Sequence, residues 1–277
     1  MSSLGRMRRK LSYAKYNFRD FIDAYLAPNL KVRSTPMGFD MIGGNSRHHK
    51  AMQAGTFERL EVDWLQDMLP KVDVFVDVGA NIGYFSCIAR ALGKHVVSVE
   101  PLSANLALLL QNVTANEGPP VEIFPVALAS EPGVAKLYGL SSTGASLLSN
   151  WAGAPSSVAR LIPVNTLDNL LENRFLNNDL LVKIDVEGYE YQALCGAIKI
   201  LDRKRKPVWL VEITHSQYHP AGENPFFRKT FELFWSRGYR CCVLTDSGVK
   251  RVVIDDFEGL YKLEREGHIN FIFSEQE

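Results

Sequence analysis

Hydrophobic and polar positions along this chain follow one rhythm that begins at about residue 72. Short β-branched runs alternate with stretches in which apolar residues recur every three or four positions. Residues 72–78 predict a strand that ends in a glycine turn. Residues 81–92 predict a helix with Ile82, Phe85, Ile88, Ala89 and Leu92 on one face. Residues 95–99 read as a second strand. Ser103 then caps a helix over 104–116, with Leu106, Leu109, Leu110 and Val113 turned inward. Further strands are expected at 121–126, 180–184, 208–213, 240–244 and 270–273, with helices over 189–201 and 225–237. Strands and helices in strict alternation predict an α/β fold built on a mostly parallel sheet.

Two regions depart from the rhythm. Residues 130–160 are rich in Ser, Gly, Ala and Pro, and predict a short hairpin around 134–138 followed by a loop. A loop of that length in a compact domain is often a lid or a binding segment. Upstream, 35–42 predict a small hairpin and 56–68 a helix laid over the end of the first strand. The division expected is an N-terminal extension over 1–55 and one domain over 56–277.

Composition narrows the partners. The 277 residues carry 31 basic and 31 acidic side chains, so the surplus of positive charge that nucleic-acid binding calls for is missing. Cys87, Cys195, Cys241 and Cys242 lack metal-ligand spacing and read as reduced thiols. No apolar run reaches the roughly 20 residues of a membrane span, and the basic N-terminus lacks the apolar core of a secretory signal. The expected setting is cytoplasmic. Basic residues at Arg6, Arg8, Arg9, Lys10, Lys15 and Arg19, interleaved with Leu4, Leu11, Phe18 and Phe21, suggest an amphipathic helix. Packing against the protein body is favoured for it over peripheral contact with an anionic membrane.

The first glycine turn reads Asp77-Val78-Gly79-Ala80-Asn81-Ile82-Gly83. In an open parallel sheet, ligands bind beyond the carboxyl ends of the strands, where glycine lets backbone amides come close. A dinucleotide fingerprint would place a second glycine where Asn81 stands. Glu100, at the end of the next strand, is placed to accept hydrogen bonds from ribose hydroxyls.

The run Phe75 to Ser86, then Val99-Glu100-Pro101, resembles the FkbM-type methyltransferases. So do the later blocks, in the same order: Thr166-Leu167-Asp168-Asn169-Leu170, Lys183-Ile184-Asp185-Val186-Glu187-Gly188-Tyr189-Glu190, Val211-Glu212-Ile213, and a closing strand at 267–273. The resemblance runs from about residue 55 to the C-terminus and does not cover 1–34. It implies a Rossmann-like class I methyltransferase fold, with a seven-stranded, mostly parallel sheet whose last strand is antiparallel and with helices on both faces. It also implies O-methylation of sugars, glycolipids or polyketide hydroxyls, with S-adenosylmethionine as cofactor and S-adenosylhomocysteine as product. Carried over by position, Asp77, Gly79, Asn81 and Gly83 would cradle the methionine part and Glu100 the ribose. Val126-Ala127-Leu128 would line the adenine, with Glu58 approaching from ahead of the first strand.

Hydroxyl methylation needs a group to take the proton. Asp185 and Glu187, at the end of the fourth strand, are candidates to contact the substrate or to act as base. The competing reading is structural, with Asp185 capping the next helix, Glu187 at its positive end and Lys183 paired with Asp185. His215 follows the fifth strand and is the imidazole best placed for a general base. Glu212, His215 and His219 could also be read as a metal set, but the spacing is weak and a divalent metal is not favoured. Ser141-Ser142-Thr143-Gly144-Ala145-Ser146 resembles a serine-containing loop of the family. The expected function is O-methylation of a small-molecule or glycan acceptor. The alternatives are a nicotinamide-dependent oxidoreductase and a non-catalytic cofactor-binding module.

Overall fold

The computed structural model describes residues 30–43, 46–139, 144–253 and 255–275. The expected N-terminal amphipathic stretch and Ser141-Ser142-Thr143 lie outside the described residues. A hairpin of β1 (Lys31–Ser34) and β2 (Asp40–Gly43) leads into α1 (Arg47–Ala54) and α2 (Arg59–Met68). Two strand–helix units follow: β3 (Val74–Val78), α3 (Tyr84–Ala91), β4 (His95–Val99) and α4 (Ser103–Thr114), and then β5 (Val121–Phe124). The chain next forms β6 (Ala127–Leu128), β7 (Gly133–Tyr138), β8 (Ala159–Asn165) and α5 (Leu167–Leu171). The alternation returns with β9 (Leu180–Ile184), α6 (Glu190–Cys195), α7 (Ile198–Leu201), β10 (Val208–Glu212) and α8 (Phe227–Trp235). It closes with β11 (Tyr239–Thr245), β12 (Gly248–Arg251), α9 (Phe257–Arg265) and β13 (Asn270–Glu275).

The main sheet runs β12-β11-β13-β10-β9-β3-β4-β5. Pairs from β10 through β5 are parallel, whereas β13 is antiparallel to both of its neighbours. This is the expected α/β fold, a class I methyltransferase sheet with one strand more than the seven expected. The added strand, β12, folds back on β11 through the turn between Thr245 and Gly248. All of its residues are exposed, so it carries no apolar pattern by which the sequence could reveal it.

Strands β3 and β9 are buried along their whole length because helices cover both faces. On one face Val76, Val182, Trp209 and Val211 pack with Leu194, Phe231 and Phe234. On the other, Phe75, Leu181 and Leu210 pack with Val62, Leu65, Phe85 and Leu109. Phe39, Met41 and Met52 belong to that second core, so the hairpin and α1 share the core of the sheet.

Several boundaries shift for identifiable reasons. Helix α3 begins at Tyr84 because Asn81 and Gly83 adopt left-handed backbone, with φ of 52° and 87°. Ser103 lies inside α4 and caps nothing; the residue before the helix is Leu102, whose N–H is bonded instead by Glu100 Oε1 at 2.8 Å. Leu110, expected inward, is 51% exposed, while Asn105 and Asn112 take buried places on the same helix. The helix expected over 189–201 is broken at Gly196, where a Cβ would stand 2.1 Å from Ala129 O. Strand β7 pairs with β8 in a separate three-stranded sheet ordered β6-β8-β7, so the hairpin spans the long loop.

Asparagines in α4 and just past its end fasten the hairpin. Asn112 Oδ1 accepts from Ile42 N–H at 2.5 Å, while its Nδ2 donates to Ile82 O at 2.7 Å. Asn116 accepts from Asp40 N–H and donates to Asp40 O, each at 2.7 Å. Replacing Asn112 by Leu strands two buried backbone groups. The expected loss is about 1–3 kcal/mol in urea unfolding, with faster proteolysis within residues 30–55. Unchanged stability and cleavage would show that these bonds do not hold the hairpin.

Candidate active site

Strand order reverses between β3 and β9, and the carboxyl ends of these two strands flank a crevice. A cleft opens there, taking in about 850 Å³ of space that runs out into open solvent. Gly79 holds its floor: both Gly79 N–H and Ala80 N–H donate to Val99 O, and Asp185 N–H donates to Val78 O at 3.0 Å. A Cβ on Gly79 would stand 1.9 Å from Asp185 O, and its φ is +83°. Only glycine lets the two strand ends approach this closely.

Glu100 organises one wall. Its Oε2 accepts from Asn81 N–H at 2.9 Å, and Oε1 accepts from Leu102 N–H and from Asn105 Nδ2 at 3.3 Å. Burial pushes its carboxyl up to about 7 against these three hydrogen bonds, which pull the other way. Val126, Ala127 and Leu128 line the wall beside it. Met52 of α1, and Phe57 and Glu58 between α1 and α2, cover the opposite side together with Tyr84. Glu58 has a left-handed backbone at the start of α2. Burial raises its carboxyl to about 8, with Lys183 opposing the shift and Asp185, Glu61 and Glu187 adding to it.

The remaining wall is the segment after β9. Lys183 Nζ lies 3.0 Å from Asp185 Oδ2 and 4.7 Å from the centre of the Phe85 ring. Burial acts to lower its proton affinity, but Asp185, Glu58 and Asp77 outweigh it and hold the ammonium well above its usual range. Glu187, at φ 55°, accepts from Gly144 N–H at 3.0 Å and from Trp151 Nε1–H at 2.7 Å. Burial, and then Asp185, raise it to about 7. Gly188 packs on the same indole, where a Cβ would stand 2.3 Å from the ring. Asn150, Ala152 and Tyr218 add left-handed backbone around Trp151. Strain of this kind gathers where a structure fixes a site.

Of the residues named from sequence, Glu58, Gly79, Asn81, Glu100, Ala127, Asp185 and Glu187 line the one cavity. Three named residues lie outside its lining. Asp77 points from β3 into the covered face beside Lys183, its register partner, and accepts from Ser86 Oγ at 2.6 Å. Gly83 lets α3 meet α4, since a Cβ would stand 2.4 Å from Leu109 Cδ1. His215 is carried away because Ile213 N–H bonds Ile269 O, turning the chain toward β13. Its ring packs on Phe227 and Tyr261, and its N–H donates to Glu264 Oε1 at 2.7 Å. Among the described residues, no three His, Cys, Asp or Glu side chains form a group that could hold a metal ion. No helix among the described residues is long and apolar enough to cross a membrane. Trp151 was missed; a lone tryptophan in a stretch of small residues was its only signal. Lys183 was seen only as a partner for Asp185.

The doubly wound sheet, with a crevice where its strand order reverses, is the Rossmann-like class I methyltransferase fold that the sequence led us to expect. The FkbM methyltransferase domain matches residues 77–241, more than half of the chain, and the chain belongs to that family. It is a methyltransferase, which decides against the oxidoreductase alternative. No curated relative matches the sequence. Among solved structures the chain is similar to TYW2 from M. jannaschii in complex with AdoMet. Identity there is 12%, the alignment covers 90% of this chain and 88% of that one, and the TM-score is 0.43. It is also similar to the precorrin-6y C5,15-methyltransferase from Geobacter metallireducens, at 13% identity over 78% and 88% of the two chains, with a TM-score of 0.41. The assignment rests on the family match and not on these distant likenesses.

Buried carboxyls in the cavity, and Glu190 beside them in the chain, give stability a definite pH dependence. Glu58 and Glu190 are pushed up to about 8, and Glu100 and Glu187 to about 7, in each case chiefly by burial. The folded protein thus keeps protons that the unfolded chain releases near 4.5. Stability from these groups is complete below that value and is lost as pH rises through 7 to 8. His49, lowered to about 4 chiefly by burial, works in the opposite sense, but only below its ordinary value of 6.5. The melting temperature should therefore fall between pH 6.5 and about 8.5, and Glu58→Gln should flatten the fall. Scanning calorimetry across that window checks this; a flat or rising profile for the parent protein would contradict it.

Proposed function

We propose that the chain is an S-adenosylmethionine-dependent O-methyltransferase acting on a hydroxyl of a saccharide-containing or natural-product acceptor. The observation that carries this reading is the crevice itself. The Gly79–Asn81 turn and Glu100 stand on one side, and the Asp185–Glu187 segment stands on the other.

The residues fit such a cofactor in two respects. At Gly79 a side chain would collide with Asp185 O, so the turn keeps bare backbone where a ligand must come close. Among the charged side chains that line the cavity, four carboxyls face one ammonium, which suits a ligand bearing a sulfonium and an ammonium better than a pyrophosphate. Gly79 and Asn81 would hold the methionine part, Glu100 the ribose, Val126-Ala127-Leu128 the adenine, and Glu58 would close from the far side. Bound there, the cofactor supplies an activated methyl group and leaves as S-adenosylhomocysteine.

The protein's own contribution is positioning and proton removal. Each Glu187 oxygen accepts one hydrogen bond from the protein, which leaves it room for an acceptor hydroxyl. Its raised proton affinity, near neutral, suits a base that takes a proton and later returns it to water. Asp185, held by Lys183, orients the same hydroxyl. His215 plays no part in this reading because its ring packs between α8 and α9.

Calorimetric titration with S-adenosylmethionine and S-adenosylhomocysteine should show binding of both; silence at millimolar ligand would overturn the cofactor reading. Glu100→Ala should weaken that binding by about 1–3 kcal/mol. In a labelled-methyl assay over glycans and hydroxylated metabolites, Glu187→Gln should lower kcat by about 100- to 10,000-fold while the KM for cofactor stays nearly constant. His215→Ala should stay within about twofold of the parent. The reverse ranking would move the base to His215.

A further inference from the structure

One short segment of chain holds both the main chain and the carboxylate of Glu187. Ser146 Oγ donates to the Glu187 carbonyl at 2.6 Å and accepts from Leu148 N–H at 2.9 Å. Leu148 O accepts from Trp151 N–H at 3.3 Å, and the Trp151 indole N–H donates to Glu187 Oε2 at 2.7 Å. The bonds form a closed ring that leaves Glu187 at its carbonyl and returns at its carboxylate. Gly144 N–H, at the start of the same segment, meets the other carboxylate oxygen at 3.0 Å.

A buried indole needs an acceptor for its N–H, and a main-chain carbonyl would serve. Here the acceptor is a carboxylate that lines the cavity, and the backbone is bent to bring the two together. Glu187, Asn150, Ala152 and Tyr218 adopt left-handed φ, at 55°, 61°, 49° and 65°. Residues other than glycine keep that conformation only where their surroundings impose it. Trp151 is itself fixed. It is 1% exposed, Ala152 N–H bonds Tyr218 O at 2.9 Å, and the Tyr218 and His219 rings meet the indole edge-on. A glutamate on a free turn would sample many rotamers; this one meets a donor at each oxygen.

We propose that Trp151 is a positioning residue: its indole N–H aims the Glu187 carboxylate at the acceptor hydroxyl, and the ring through Ser146 and Leu148 keeps the indole where that bond forms. The proposal rests on the methyl-transfer reading above, in which Glu187 is the base. A hydrogen bond given to a carboxylate also favours the ionised form. Trp151 and Gly144 therefore keep Glu187 able to take a proton, against the burial and the negative neighbours that favour the acid. Those neighbours are Asp185 on the same segment, Glu190 at the start of α6, Glu58 at the start of α2 and Glu212 at the end of β10, with Lys183 opposing them. Loss of the indole donor should accordingly raise the proton affinity of Glu187 further.

Indole N–H signals in the magnetic resonance spectrum of the isotope-labelled protein test the bond without turnover. Of the four tryptophans, one should give a signal that moves with pH about a midpoint of about 7. That signal should be missing from Trp151→Phe and should stop moving in Glu187→Gln. Four signals that ignore pH, or a titration that persists in Glu187→Gln, overturn the proposal. In the labelled-methyl assay, Trp151→Phe should lower kcat by about 10- to 100-fold while the KM for cofactor stays nearly constant. The acidic limb of its kcat profile should move up by about one pH unit, a shift that lost packing alone does not produce. If Trp151→Phe fails to fold, Ser146→Ala opens the same ring with the indole in place, and the limb should move the same way by less. A limb that stays in place in every folded variant overturns the proposal and leaves methyl transfer standing. If no acceptor is methylated, the methyl-transfer reading falls first, and the indole signal still decides whether Trp151 holds Glu187.

Discussion

The site depends on one buried ammonium. Lys183 sits near the carboxyl end of β9, almost fully covered, with Asp77 across the strand pair and Asp185 two residues on. A lone charge at that depth would be costly, and so would unpaired carboxylates around it. Each makes the other tolerable. The pairing anchors Asp185, whose backbone carbonyl lies against Gly79 and whose N–H holds the end of β3. The two strands that flank the crevice are thus tied together by main-chain contact and by charge at the same place.

A second constraint works through Trp151. The indole is buried, donates to Glu187, fills the space over Gly188 and holds a loop rich in left-handed backbone. Glu187 owes its orientation to that loop and its elevated proton affinity chiefly to burial and Asp185. Catalytic groups at strand ends usually rely on such outside support, because the strand fixes only their roots.

Much of this was legible in the sequence, and the failures have physical causes. Central strands were clear because both faces are buried, which leaves continuous β-branched runs such as 74–78. The exposed edge strand β12 left no such trace. Gly79, Asn81 and Glu100, which line the cavity, could be singled out because backbone geometry and a strand-end acid have local signatures. Gly83 carries the same signature for another reason, the close meeting of two helices. Asp77 and His215 were misplaced because sequence spacing gives no direction. Strand alternation sends the first under the turn, and a single backbone bond from Ile213 diverts the second. Trp151 was invisible because its partners, Glu187 and Tyr218, are distant in the chain.

Helix α4 has a further consequence. Its first turn is organised by Glu100, through Leu102 and Asn105, while Asn112 near its end and Asn116 just past it grip the hairpin. One rigid rod therefore joins the Glu100 wall to the segment that leads into Met52, Phe57 and Glu58. The roof of the crevice is not an appendage that could be exchanged between relatives without loss. It is registered to the floor through a shared helix, and changes in the two must be made together.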